Sequence, residues 1–184
     1  MNRISLGHLH KRYLNWVVTV GSVVLCLLLL PLRLPGMELL GIAPNWLLIW
    51  VVAWSMKRTD VQGAIAGVVL GLLQDGMTSP LPTHTISLAI VGVLTARLRK
   101  QRYLQEDFIS VAVIVFGMAV LAEAITALQF SFWSASISGT DATTARFTEI
   151  WTYYQRVALA SAIVSSLWAP VVYYPLNRWW EKMK

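Results

Sequence analysis

Five side chains that could do chemistry stand inside or at the ends of long apolar runs: Gln74, Asp75, His84, Glu123 and Arg156. A carboxylate in such a setting is costly without a cation or hydrogen-bond donors. The first chemistry they could supply is therefore an ion pair, Asp75 or Glu123 with Arg156. A second is a path for a proton or polar substrate, but such paths carry acidic or His residues through their full depth, and only one end of these runs has them. A third is a metal site from Asp75, His84 and Glu123, which has no close ligand pair and a single His. Interhelical polar contact is the reading favoured. Ser161, Ser165 and Ser166 recur at helical spacing in one apolar run, which suits packing and bonds to backbone carbonyls rather than nucleophilic attack. A nucleophile with a base, a phosphate-cradling glycine loop and a zinc-type His-Glu motif are all missing. The sequence therefore predicts no catalytic residue, no cofactor and no metal. His8 and His10 in the leader read as solvated.

The composition says what must hold these groups. The chain is 57% hydrophobic and 13% charged, with a mean hydropathy of +0.60. That is too little polar surface to cover a water-soluble globule, so it is an integral membrane protein with the lipid bilayer as its solvent. Nine Trp and six Tyr suit the aromatic belts at headgroup level. Cys26 is the single cysteine, so no intrachain disulfide forms. The net charge of +6 comes from residues flanking apolar runs, where topology explains it and a nucleic-acid partner is not implied.

Apolar periodicity predicts an all-α fold: a single membrane domain over 1–184, with helices near 14–34, 42–56, 61–77, 82–97, 108–128 and 153–175. The first run is long enough to span and lacks a small-x-small cleavage site, so it reads as a retained helix. In the second, Pro44 suits a first-turn position, followed by Asn45. Trp46, Trp50 and Trp54 share one face there, suited to lining a ligand cavity or, the reading favoured, to an aromatic ridge facing lipid or other helices, so no site is assigned to it. Gly63, Gly67 and Gly71 form a smooth stripe on the third, where another backbone can approach closely. The third and fourth runs have apolar cores about two-thirds of the ~20 residues a perpendicular span needs, and form a hairpin across a turn at 77–82 that is either a pair of short spans or a re-entrant pair that does not fully cross. Residues 129–152 read as the longest loop.

Twelve of the fifteen Lys and Arg fall in the leader, at 57–58, at 97–102 and in the tail; Arg33, Arg146 and Arg156 lie on the other side. The positive-inside rule then puts both termini in the cytoplasm. With that orientation Gln74, Asp75, His84, Arg156 and Glu123 all sit toward the outer leaflet, Glu123 roughly 8 Å below the end of its helix.

The order Ile42-Ala43-Pro44-Asn45, an apolar span, Lys57-Arg58, then Gly63-x3-Gly67-x3-Gly71-Leu72-Leu73-Gln74-Asp75, a Ser/Pro turn and a span ending in Arg97-x-Arg99 resembles the MreD family of rod shape-determining membrane proteins. Two positions depart from the family pattern, Asn45 where Asp is commoner and Pro82 where a Gly is usual. The resemblance implies a non-enzymatic scaffold of the bacterial cell-elongation machinery, multi-pass in the inner membrane. Its implied partners are a bitopic MreC-like protein and, through it, the elongation transpeptidase, a RodA-type glycosyltransferase and the cytoplasmic actin-like filament. It also implies a six-helix bundle resembling the S-components of vitamin transporters, so a ligand-binding S-component is the alternative function.

Overall fold

The structure, a computed structural model, describes residues 3–32, 36–39, 41–78, 82–100, 107–137 and 143–183. The centre of the turn after the third run, the basic loop at 101–106, Arg33 and residues 138–142 lie outside them, as do the side chains of His8, His10 and Arg146. Six helices order the described chain: α1 (Arg3–Leu29), α2 (Trp46–Ser55), α3 (Asp60–Thr78), α4 (Thr83–Lys100), α5 (Phe108–Ile137) and α6 (Thr143–Lys182). There is no strand among the described residues beyond one isolated bridge, Leu39 with Ile42. The protein is an all-α membrane protein. By length and composition, Lys11–Leu29, Phe108–Trp133 and Trp151–Lys182 can cross a membrane, whereas Trp46–Ser55 and Thr83–Leu98 are shorter apolar helices.

The short α2 is the axis of the molecule. Nine of its ten residues are apolar, with Ser55 at its end the exception, and all but Trp54 are buried. A helix without a polar face has to be surrounded. It is packed by α1, α3, α4, α5 and α6. Asn45 starts it as the N-cap, its side chain accepting from Leu48 N at 3.1 Å. Pro44 thus stands one residue before the cap instead of in the first turn. The N–H of Asn45 donates to Ser165 Oγ at 3.0 Å, which fastens this end to α6. The tryptophan ridge faces helices: Trp46 meets Trp168 edge-on, Trp50 stacks on Trp54, and Trp180 packs its edge against both.

A reciprocal capping box opens α3, with Thr59 N donating to Gln62 Oε1 and Gln62 N to Thr59 Oγ1. The last two helices run further than the apolar runs suggested. The segment read as a long loop is mostly the extended ends of α5 and α6. Pro175, expected to end the last helix, lies inside α6, as does Pro170. A proline removes one helical hydrogen bond, and beyond it Leu176 and Trp180 are buried against the core and hold the next turns in place.

Candidate functional site

The glycine stripe is where two backbones meet. Gly63, Gly67 and Gly71 are buried on α3 against α4, the most extensive helix contact in the molecule together with α5 on α6. A Cβ on Gly67 would lie 2.7 Å from Ala89 Cα, and one on Gly71 would lie 2.8 Å from Thr85 N. On Gly63 it would meet the carbonyl of Gly92, and a Cβ on Gly92 would meet that of Gly63. These neighbours are backbone and cannot rotate away, so each position admits only hydrogen. At such separations Cα–H groups reach facing carbonyls, a weak but repeated attraction. The stripe is thus occupied from within the chain.

Asp75 closes the far end of this contact. Its Oδ1 accepts from His84 N at 2.9 Å and from His84 Nδ1 at 2.8 Å. Its Oδ2 accepts from Thr85 N at 2.9 Å and Thr85 Oγ1 at 2.6 Å. The first N–H groups of a helix have no partner within it, and the aligned peptide dipoles favour negative charge there. A carboxylate on α3 therefore serves as the cap of α4, across the turn. On the other side of that helix start, Gln129 Nε2 of α5 donates to Thr83 O at 3.0 Å. Gln74 is buried with its Oε1 unpartnered.

Glu123 on α5 is half-buried and lines a cavity of about 110 Å³ with Val120, Trp151, Tyr154 and Gln155. Further along α5, the Gln129 bond to Thr83 ties this helix to the start of α4, beside His84. Three helices, α3, α4 and α5, thus bring Asp75, His84 and Glu123 to one end of the bundle. Among the described residues, no group of three His, Cys, Asp or Glu is placed to hold a metal ion.

A family model, that of the rod shape-determining protein MreD, matches residues 10–174, nearly the whole chain. The chain belongs to the MreD family. Comparison with curated proteins and with solved structures gives no match.

In this MreD-family chain the predicted ion pair does not form. Arg156 is exposed on α6, and among the described residues it is joined to neither Asp75 nor Glu123. The physical reason is that four donors at the start of α4 already satisfy Asp75, so its charge needs no cation. Pro44 and Asn45 lie at the start of α2, where Asn45 bonds to Leu48 and to Ser165 of α6. Sequence reasoning missed Thr85, Gly92, Gln129 and the pairing of Ser165 with Asn45. Thr85 and Gly92 left a trace, as a hydroxyl next to the His that opens an apolar run and as a small residue inside it. The partners of Gln129 and Ser165 lie 46 and 120 residues away, and no local pattern points to them.

Proposed function

We propose that this protein is a non-enzymatic scaffold of the machinery that elongates the bacterial cell wall. The observation that carries the reading is the family match over residues 10–174. On this reading it passes the inner membrane several times with both termini in the cytoplasm, as its twelve flanking cations favour. Its partners are a single-span MreC-like protein and, through it, the elongation transpeptidase, a RodA-type glycosyltransferase and the actin-like filament.

The geometry is consistent with a body that others pack against. Its polar groups cap and fasten helices, and the glycine stripe already holds α4, so a partner's helix docks on the outside of the bundle. The cavity beside Glu123, at about 110 Å³, is well below the ~300 Å³ at which small-molecule pockets begin. That size disfavours the importer alternative at this end.

Co-purification from a mild detergent tests the reading. The tagged protein is expected to recover a single-span wall-synthesis protein, and cells depleted of it should round up. Recovery of an ATPase-linked transporter subunit instead, with saturable vitamin binding, overturns the scaffold role.

A further inference from the structure

Two cavities lie along one seam beside the tryptophan ridge, and the packing of the hairpin uses neither. The larger holds about 520 Å³ between α1 and α6, with walls that include Ser22, Cys26, Trp46, Val171, Leu176 and Trp179. The smaller holds about 170 Å³ and is lined by Asn15, Trp54, Lys57, Arg58, Trp180 and Met183. Asn15, Ser22 and Cys26 follow one another along one face of α1, and Leu176 and Trp180 are one turn apart on α6. Trp46 borders the larger cavity and Trp54 the smaller, with Trp50 stacked between and its Nε1 donating to Ser22 Oγ at 2.8 Å. The two are successive stretches of a single seam, apolar along its length and cationic at one end.

The cationic end has the wrong contents for an empty space. The Lys57 side chain is 7% exposed and meets Glu181 at 2.6 Å, while the Arg58 guanidinium lies 4.2 Å over the Trp54 ring. Among the described residues these are two cations beside one carboxylate, and Arg58 adds its positive charge to this end. Trp180 is 6% exposed and its Nε1 is buried without a hydrogen-bond partner, as is that of Trp179 in the adjoining wall. A buried donor left unmatched costs about 1–3 kcal/mol, so these N–H groups call for acceptors. Asn15 Oδ1 is likewise buried and unmatched, and calls for a donor. An oxyanion carrying hydroxyl groups, joined to a long apolar chain, matches the two cations, the Trp180 N–H and Asn15 together.

We propose that the α1–α6 seam is a binding site for one anionic phospholipid. Its phosphate sits among Lys57, Arg58 and the Trp180 indole N–H, a headgroup hydroxyl reaches Asn15, and an acyl chain fills the groove. A partner's helix is the rival occupant. At about 10 Å across and 30 Å long it displaces on the order of 2,000 Å³, several times what the groove holds. The cations also belong at headgroup depth, where basic residues meet anionic lipid.

Native mass spectrometry of the full chain tests the site, after incubation with phosphatidylglycerol or with phosphatidylcholine of the same acyl chains. The expected result is a single phosphatidylglycerol adduct, retained at least fivefold better than phosphatidylcholine and not displaced by glycerol phosphate. Arg58→Gln should cut the retention of phosphatidylglycerol about fivefold. Val171→Trp, on an exposed groove wall, should cut the retention of both lipids. Trp180→Phe keeps the ring and loses the N–H, and stands in if Arg58→Gln does not fold. Equal retention of the two lipids, or variants that melt and bind like the wild type, overturns the site. So does a co-purified single-span protein that crosslinks to the groove and resists competition by lipid.

Discussion

The α3–α4 hairpin and the α1–α2–α6 seam are two opposite ways of joining helices. In the hairpin, glycines bring backbone onto backbone, and a carboxylate from one helix caps the next. In the seam, tryptophans hold the helices apart and leave cavities of about 520 and 170 Å³ between them. Small residues give contact without tolerance, whereas large flat ones give contact with voids, because rings meeting edge to face cannot fill every corner. The hairpin therefore behaves as a fixed strut, and the seam is where other molecules find room.

The sharpest way to break the contrast is Gly67→Leu. With the Leu88 carbonyl carbon 2.5 Å from the new Cβ, the hairpin has to part, at a cost of about 3 kcal/mol or more. Folded protein should vanish from size-exclusion profiles. Gly117, with nothing within 4 Å of its Cβ position, should accept Ala with full yield; equal loss at both positions would mean that the close approach is not what holds α3 to α4.

Asp75→Ala comes next. It strips four donors of their acceptor, and thermal unfolding in detergent should report a loss of about 2 kcal/mol. Asp75→Asn should recover part of this through its remaining oxygen. Identical melting of Ala and Asn variants argues that the cap contributes nothing. On the seam, Trp50→Phe removes the bond to Ser22 and should cost about 1 kcal/mol, since hydrogen bonds between membrane helices are modest. A loss as large as that of Gly67→Leu would erase the distinction between the two regions. The smallest effect belongs to Arg156→Ala. Its side chain is exposed, and yield and melting should stay within about 0.5 kcal/mol of the wild type. A drop in folded yield would restore the ion pair that the geometry denies.

Much of the hairpin was legible. A glycine every fourth residue in an apolar run has few uses besides close helix contact, and a carboxylate such as Asp75 at the end of such a run has to find donors. The donors themselves were not, because the sequence offered Arg156 as the obvious counter-charge. Backbone N–H groups carry no residue identity and become available only where a helix begins. The seam was half legible: the spacing of Trp46, Trp50 and Trp54 gave the ridge but not the direction it faces.

Periodicity and composition by themselves determined an all-helical membrane protein and a stripe for close approach. Each depends on neighbours within a turn or two, so the chain carries it in plain order. Tertiary structure alone decided that the ten-residue α2 stands at the centre, that Asp75 caps α4 rather than pairing with Arg156, and that Pro175 lies within α6. It also placed Trp180 beside Lys57 and Arg58. Those outcomes depend on which distant surfaces meet, and burial among several helices can overrule the local preference of any one residue.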